Sequence, residues 1–262
     1  MKSDSSHRFA GIIPARYAST RFPGKPLADI GWKTMIRRVY EQASLSLETV
    51  YVATDDDRIF KAVRDFGGNV IMTSEAHRSG TDRCAEAISL IFGKEGMEFD
   101  IVINVQGDEP FILPEQIDLI KSCFDDSSVE IATLVRRAGP GEDIFNPDQP
   151  KVVLDSSGNA IYFSRAAIPF IRDSQMAEWT LRHTYYKHIG LYAYKTATLL
   201  EITKLPPGEL EIAESLEQNR WLENGYRIRT AVTTLESICI DTPSDLEKAK
   251  THITDFDKFC YL

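Results

Sequence analysis

The chain has 262 residues with 43% hydrophobic and 26% charged side chains, the composition of a globular protein with a substantial core. Its net charge of -9 argues against a general nucleic-acid partner, because phosphate backbones are bound by basic surfaces. No apolar run approaches the roughly 20 residues that span a bilayer, and the opening MKSDSSHR lacks the apolar centre of a signal peptide, so we expect a cytoplasmic protein without a membrane partner.

Four times in the first half of the chain, an apolar run typical of a β-strand is followed by a helical pattern. The strand-like runs are FAGIIPA, VYVATD, NVIMT and DIVINVQ, which begin at residues 9, 50, 69 and 100. This alternation predicts the α/β class, with a mainly parallel central sheet, helices on both faces, and ligands beyond the carboxyl ends of the strands.

The second half has a different pattern. The runs KVVLD and AIYFSR flank the turn residues 156–159, which predicts a β-hairpin. A polar stretch, the strand HIGLYAY and a helix over about 209–224 follow. No low-complexity linker interrupts the chain, so we predict one domain over residues 1–262, with the hairpin as an embellishment.

The four cysteines, Cys84, Cys123, Cys239 and Cys260, stand far apart and form no C-x-x-C pair. This spacing argues against a zinc site and against a disulfide framework. We therefore expect free thiols.

A loop rich in cations follows the first predicted strand. It places Arg16, Arg21 and Lys25 beside two hydroxyl residues and Gly24, but it fits neither the Walker A pattern nor the dinucleotide fingerprint. A glycine permits close backbone approach, and cations and hydroxyls are suited to a polyphosphate. A solvated surface turn is the alternative for this loop taken alone.

Two aspartates are candidate metal ligands. Asp108 directly follows a buried-looking strand, and Asp241 lies just before a helix whose capping box is formed by Thr242 and Asp245. Carboxylates at such positions suit Mg²⁺ when phosphates supply further oxygens. The alternatives are a turn-forming role for Asp108 and a helix-dipole role for Asp241.

Polar residues of the second half carry weaker signals. Arg165 and Tyr192 lie in the hairpin and strand segments, and His188 in an apolar strand is more typical of a core histidine than of a ligand. Glu217 and Gln218 are typical of a solvated helix face.

Six motifs together carry a family resemblance. In order along the chain they are IPARYASTRFPGKPL, NVQGDEP, IYFSR, HIGLYAY, LEQ and DTPSDLE. In these motifs, over about residues 8–249, the chain resembles the 3-deoxy-manno-octulosonate cytidylyltransferases, also called CMP-Kdo synthetases. The wider group of sugar nucleotidyltransferases shares only the RYASTRFPGK loop.

The resemblance implies a three-layer Rossmann-like nucleotide-diphospho-sugar transferase fold. It implies transfer of CMP from CTP to the anomeric hydroxyl of 3-deoxy-D-manno-octulosonate (Kdo), with release of pyrophosphate, in the supply of lipopolysaccharide. It also implies Mg²⁺ as cofactor, and a homodimer formed through the hairpin subregion, about residues 140–200, which would also bind the sugar.

Site residues are carried over by matching motif. The resemblance implies that the catalytic residues are Arg16, Lys25, Asp108 and Asp241, of which Asp108 and Asp241 would bind the metal. It implies a CTP site formed by Ala15, Arg16, Arg21, Lys25, Arg78, Ser79, Gly80 and Gln106. It implies a Kdo site formed by Gln106, Arg165, His188, Tyr192, Glu217 and Gln218.

Some positions depart from the family pattern, and several alternatives stay open. Gly31, Trp32 and Thr34 alter the stretch after the phosphate loop, and Asn219 stands where a leucine is usual. An 8-amino variant of Kdo is therefore a conceivable substrate. The rival enzymes are cytidylyltransferases for sialic acid or methylerythritol phosphate, and a glycosyltransferase with a D-x-D motif. A nucleotide-binding regulatory module without turnover is the rival from another class.

Overall fold

The computed structural model describes residues 7–18, 22–236 and 239–250. The strands are β1 (Phe9–Ala15), β2 (Val50–Thr54), β3 (Asn69–Met72), β4 (Ile101–Asn104), β5 (Ile131–Arg137), β6 (Lys151–Leu154), β7 (Ala160–Ser164), β8 (Tyr186–Lys195) and β9 (Ile228–Thr233). The helices are α1 (Met35–Ser46), α2 (Asp57–Asp65), α3 (Gly80–Glu95), α4 (Pro114–Ser122), α5 (Trp179–Arg182), α6 (Thr196–Ile202), α7 (Glu209–Glu214), α8 (Gln218–Glu223) and α9, described over 243–250.

These elements form two compact units. The first contains the described residues up to 117, residues 195–199 and the described residues from 239 onward, and the second contains residues 118–194 and 200–236. The boundaries between the units fall within α4, at the last residue of β8, and within α6. The single domain expected over residues 1–262 stays a prediction.

The first unit contains a parallel sheet in the order β3-β2-β1-β4. Every residue of β2 and β4 is buried, as expected for parallel strands that are covered on both faces and therefore read as continuous apolar runs. Because β1 and β4 are parallel neighbours, their carboxyl ends lie at the same edge, and the loops after them start side by side.

Local signals fix the helices of the first unit. The apolar residues Met35, Val39 and Ala43 recur at helical spacing along α1, and all three are fully buried. Asp56 caps α2 by accepting hydrogen bonds from the backbone N–H groups of its first turn. After α2 the chain turns at Gly67, whose φ of 81° lies in the left-handed region that glycine adopts without strain.

The second unit combines a mixed sheet with the predicted hairpin. Strand β5 pairs antiparallel with β8 and parallel with β9, while β6 pairs antiparallel with β7 and with β8. Together with the first unit, this confirms the α/β class with a mainly parallel, mixed sheet and a β-hairpin. The strands β5 and β9 and the helix α6 have no counterpart in the sequence prediction.

The single helix predicted over about 209–224 is wrong, because the chain forms two short helices there. Helix α7 ends at Ser215, whose φ is 51°, and α8 begins after Glu217. The guanidinium of Arg165 donates hydrogen bonds to the carbonyls of Glu214 and Ser215, at 2.7 and 3.3 Å, so these carbonyls are satisfied outside the helix. Leu216, beyond the break, is 7% exposed and packs into the core.

Among the described helices, none is both long enough and apolar enough to cross a bilayer.

Candidate active site

The loop after β1 is closed by a glycine. The N–H of Gly24 donates to the carbonyl of Tyr17 at 2.9 Å, and Gly24 has a φ of 71°. A Cβ atom at Gly24 would lie 3.1 Å from the Tyr17 ring, so a larger residue would press against that ring. A short 3-10 turn over Lys25–Leu27 follows, with Pro26 buried. Residues 19–21, including the predicted ligand Arg21, lie outside the described residues.

Lys25 joins two aspartates that are far apart in the sequence. Its Nζ lies 2.7 Å from Oδ2 of Asp108 and 3.2 Å from Oδ1 of Asp241. The three side chains are 14%, 25% and 38% exposed, so the ion pairs are only partly open to solvent. Burial alone would lower the pKa of Lys25, but Asp108 and then Asp241 hold it above the ordinary lysine value. The lysine is therefore a cation at neutral pH.

The backbone around both aspartates is fixed. Gly107 precedes Asp108, and a Cβ atom at Gly107 would lie 2.9 Å from the carbonyl oxygen of Pro14, so only glycine lets the segment after β4 approach β1 this closely. The N–H of Ile240 donates to the carbonyl of Asp108 at 2.9 Å. Because Ile240 is fully buried, it anchors the neighbouring Asp241.

The predicted capping box of α9 is present. The N–H of Asp245 donates to Oγ1 of Thr242 at 3.2 Å, and the N–H of Thr242 donates to Oδ2 of Asp245 at 3.0 Å. The hydroxyl of Thr242 and the nearby backbone N–H groups lower the pKa of Asp245. Asp245 is thereby used in the cap, whereas Asp241 directs its carboxylate to Lys25.

A cavity of about 220 Å³ surrounds these ion pairs. Of the predicted CTP and metal ligands, all that the structure describes lie on its wall. These residues are Ala15, Arg16, Lys25, Arg78, Ser79, Gly80, Gln106, Asp108 and Asp241.

The N-terminus of α3 forms one side of the cavity. Ser79 caps this 16-residue helix by accepting a hydrogen bond from the N–H of Asp82 at 3.1 Å. At Gly80 a Cβ atom would lie 3.1 Å from the ring of Pro14, so glycine lets the helix start close to β1. The positive end of the helix dipole and the exposed cation of Arg78 make this wall suited to an anion.

Arg83 also lines the cavity, but its guanidinium is bound to neighbouring protein segments. It is 3% exposed and donates to Asp55 at 2.6 Å and to the hydroxyl of Thr73 at 2.7 Å. These bonds tie α3 to the segments that follow β2 and β3. The resemblance named the exposed Arg78 among the CTP ligands, and it assigned no role to Arg83.

The donor set beside Lys25 fits a divalent cation. One ligand atom each from Asp108, Cys239 and Asp241 lie within 4.8 Å of one another. Carboxylate oxygens are the donors that Mg²⁺ prefers. The carboxylates of Asp108 and Asp241 already contact one cation, the ammonium of Lys25. The cysteine spacing gave no indication that Cys239 would lie here. Cys84, Cys123 and Cys239 are free thiols, as expected, and Cys260 lies outside the described residues.

Cys239 is exposed as a residue, yet its thiol is strongly affected by its surroundings. Desolvation of the sulfur by the surrounding protein, followed by the charges of Asp108 and Asp241, raises the pKa of Cys239 far above the ordinary thiol range. The thiol is therefore protonated at neutral pH in the metal-free protein.

The predicted Kdo ligands other than Gln106 all lie in the second unit. Arg165 uses its guanidinium on three backbone carbonyls, donating to Glu214 at 2.7 Å, Pro147 at 2.9 Å and Ser215 at 3.3 Å. Arg165 directly follows β7, and its hydrogen bonds therefore connect the end of β7 to the junction of α7 and α8.

His188 is held in a hydrophobic environment. Its Nε2 lies 3.1 Å from the hydroxyl of Thr133, and its ring contacts those of Phe163 and Tyr192 with centroid distances of 5.1 and 5.2 Å. Burial lowers the pKa of His188 to about 3, so the imidazole is neutral at physiological pH. It can bind a ligand through a hydrogen bond, but not as a cation.

Tyr192, Glu217 and Gln218 differ in how well their polar groups are satisfied. Tyr192 is 7% exposed and packs edge-on against Trp221 at a centroid distance of 5.3 Å. The carboxylate of Glu217 accepts a hydrogen bond from Arg220 at 2.9 Å. Gln218 is 5% exposed, and its Nε2 has no hydrogen-bond partner among the described residues. A buried amide left in this state is a donor available to a ligand.

Asn219 connects α8 to β7. Its Nδ2 donates to the carbonyl of Phe163 at 2.9 Å, and its Oδ1 accepts from the N–H of Phe163 at 3.3 Å. Asn219 is completely buried, so a leucine at this position could not satisfy either backbone group. The departure from the family pattern is thus a structural link, and it positions the neighbouring Gln218.

We expect Asn219→Leu to lower the free energy of unfolding by about 2 kcal/mol, because two buried backbone groups of Phe163 lose their partner. Urea unfolding measures the difference. The matched control is Asn224→Leu at an exposed position, where the side chain makes one local bond to the Arg220 carbonyl. Equal losses in the two variants would contradict a special role for Asn219.

The neutral state of His188 predicts a pH dependence of stability. The pKa is about 3 in the folded chain against an ordinary value of 6.5, so the unfolded chain binds the extra proton between these values. The free energy of unfolding is therefore expected to fall with decreasing pH below 6.5, by up to about 1.4 kcal/mol per pH unit.

The variant His188→Gln should flatten this part of the stability profile. The same replacement at the exposed His183 serves as control and should leave the profile unchanged. A wild-type profile that is flat from pH 6.5 to pH 4.5 would show that His188 is not buried in its neutral form.

Comparison with known proteins gives consistent matches. The family model described as Cytidylyltransferase matches residues 10–228. A protein of Parabacteroides distasonis named 3-deoxy-manno-octulosonate cytidylyltransferase is 59% identical, covering 92% of this chain and 96% of its own length. A protein of the same name from Bacteroides thetaiotaomicron is 57% identical, covering 93% and 97%.

A solved structure is also similar. It is described as CMP:2-keto-3-deoxy-manno-octonic acid synthetase complexed with CTP, and it shares 40% sequence identity with this chain. The two superpose with a TM-score of 0.85, covering 95% of this chain and 99% of the other.

Proposed function

Because the chain belongs to the cytidylyltransferase family, and within it to the 3-deoxy-manno-octulosonate cytidylyltransferases, we propose that it transfers CMP from CTP to the anomeric hydroxyl of Kdo and releases pyrophosphate. The observation that carries this proposal is the meeting of Lys25, Asp108 and Asp241 in one cavity. The product, CMP-Kdo, would supply lipopolysaccharide synthesis.

Lys25 and Arg16 bind the triphosphate of CTP in this proposal. Both line the cavity, and the N-terminus of α3 with Arg78 adds positive potential on another wall. Ser79 and Gly80 bring backbone N–H groups to the same wall. Arg21 supports the triphosphate, and it stays a proposal from the family motif because it lies outside the described residues.

Asp108 and Asp241 hold Mg²⁺. The support is the pair of carboxylates that already share one cation, at 2.7 and 3.2 Å from the lysine nitrogen. When bound, Mg²⁺ supplies charge neutralisation at the phosphates and lowers the pKa of the attacking hydroxyl. The chain need not supply a general base.

The reaction brings together two anions, the sugar acid and the nucleotide triphosphate. The cations of Arg16 and Lys25 reduce their repulsion and hold the α-phosphate in place for attack. Phosphoryl-type transfer depends mainly on positioning and electrostatic stabilisation, which these residues provide.

Kdo is bound by Gln106, Arg165, His188, Tyr192, Glu217 and Gln218. Of these, Gln218 is supported by its unsatisfied buried amide nitrogen, and His188 acts as a neutral hydrogen-bonding group. Arg165 contributes by holding the α7–α8 junction that carries Glu217 and Gln218.

The enzyme works in the cytoplasm, where CTP is made, and it is a homodimer. The support for a dimer interface is a group of exposed apolar side chains in the second unit, where Phe170, Met176 and Leu181 are 70%, 61% and 70% exposed. These residues lie within the predicted subregion, about 140–200. Sedimentation of wild type against a Phe170→Ser, Leu181→Ser variant tests it, and an unchanged mass would exclude this surface as the interface.

The activity is tested by incubating the purified protein with CTP, Mg²⁺ and Kdo, and by measuring pyrophosphate. Parallel reactions contain 8-amino-Kdo, sialic acid, methylerythritol phosphate or no acceptor. We expect the largest kcat/KM with Kdo, and equal pyrophosphate release without an acceptor would refute the transferase assignment.

A further inference from the structure

The carboxylates of Asp108 and Asp241 have a sulfur beside them. The Sγ atom of Cys239 and the two carboxylates each offer a ligand atom, and the three atoms lie within 4.8 Å of one another. Cys239 is two residues before Asp241, so the same anchored segment presents both donors. Modest side-chain movement would bring three such donors to the distances of roughly 2.0 to 2.3 Å typical of zinc.

The sulfur changes which cations the site favours. Mg²⁺ takes oxygen ligands and is a poor partner for sulfur, whereas Zn²⁺ and Co²⁺ accept thiolate together with carboxylate. A thiolate and two carboxylates carry three negative charges, which favour a divalent cation over the single charge of the Lys25 ammonium that contacts the carboxylates. On metal binding the thiol loses its proton to solvent as the metal–sulfur bond forms.

We propose that Cys239 is a third protein ligand, with Asp108 and Asp241, for a soft or borderline divalent cation of the Zn²⁺ class. Such a cation competes with Mg²⁺ for the site. This inference rests on the proposed function, because the same two aspartates are the proposed Mg²⁺ ligands.

The test titrates the full, reduced chain with Co²⁺ in the absence of nucleotide and measures the near-ultraviolet charge-transfer absorption of a thiolate–cobalt bond. Wild type should show a saturable band that Zn²⁺ abolishes and that an equal concentration of Mg²⁺ does not. Cys239→Ser should lose the band and weaken Co²⁺ binding at least about tenfold. Cys123→Ser, which removes a thiol outside the cluster, should keep both.

The aspartate variants complete the design. Asp108→Asn and Asp241→Asn should each weaken the band in titrations of the same protein concentration. A band that persists in Cys239→Ser, or one unaffected by both aspartate replacements, would overturn the inference. So would equal Co²⁺ affinity in wild type and Cys239→Ser.

These results are separable from the proposed function. If the thiolate band is absent while Mg²⁺-dependent CMP transfer to Kdo occurs, only the role of Cys239 fails. If the band is present and no sugar acid supports pyrophosphate release, the metal cluster stands and the transferase proposal fails.

Discussion

Asp108→Asn is expected to lower kcat for pyrophosphate release by at least about 10³-fold, because the amide removes one of the two carboxylates that we propose hold the metal at the phosphates. The fold should persist, since Lys25 keeps its contact with Asp241 and the pair is partly exposed. We expect the free energy of unfolding to change by no more than about 1 kcal/mol. Steady-state kinetics and urea unfolding of the same preparation measure both quantities.

Glu41→Gln provides a matched control for Asp108→Asn. The carboxylate of Glu41 forms an ion pair with Lys33 at an N···O distance of 2.7 Å, the same as that between Lys25 and Asp108. Glu41 does not line the cavity. This variant should retain wild-type kcat with a similar change in stability. Activity in Asp108→Asn within tenfold of wild type would contradict the role of Asp108 as a metal ligand.

The parallel strands were readable from the sequence because their burial is continuous. The run FAGIIPA predicts the bounds that β1 has in the structure, and the apolar runs of β2 and β4 likewise identify strands that are buried throughout. By contrast, β5 pairs with the distant strand β9, beginning with Ile131 opposite Ile228. Both strands contain arginine, so neither is a continuous apolar run. Their strand structure depends on distant pairing that no local pattern displays.

Resemblance predicted a set of site residues that spacing alone could not bring together. Lys25 and Asp241 are 216 positions apart, and no local pattern predicts that they contact each other. The family motifs give the order of such residues along the chain, but not their contacts. The contacts add new information at Arg165, which bonds three backbone carbonyls, and at Asn219, which bonds Phe163. The sequence did not indicate Cys239 as a metal ligand, because metal sites are recognised in a sequence by closely spaced cysteines and histidines. A single thiol that the fold brings beside two carboxylates leaves no such spacing.

The lysine between the two aspartates has a mechanistic consequence. In the chain without ligand, the ammonium of Lys25 is the cation that contacts Asp108 and Asp241. It should therefore compete with a divalent metal for the same carboxylates. When CTP is present, its triphosphate offers Lys25 another anion. We therefore expect nucleotide binding to release the carboxylates, and CTP and metal to bind with positive coupling.

Lys25→Met tests this competition because its two effects have opposite signs. Without the ammonium, Asp108 and Asp241 repel each other and bind a divalent cation more favourably, so Mn²⁺ affinity without CTP should rise about tenfold. The triphosphate loses a charged partner, so kcat/KM for CTP should fall by about 10² to 10³. Mn²⁺ binding is followed by electron paramagnetic resonance, and turnover by pyrophosphate release.

Lys33→Met is the control, because Lys33 is equally exposed at 14% and makes an ion pair of the same 2.7 Å length outside the cavity. It should leave both Mn²⁺ affinity and kcat/KM at wild-type values. A fall in Mn²⁺ affinity of Lys25→Met would mean that the lysine assists metal binding, and the competition would be disproved. A rise in metal affinity together with a loss of turnover is the result that only a lysine shared between carboxylates and nucleotide produces.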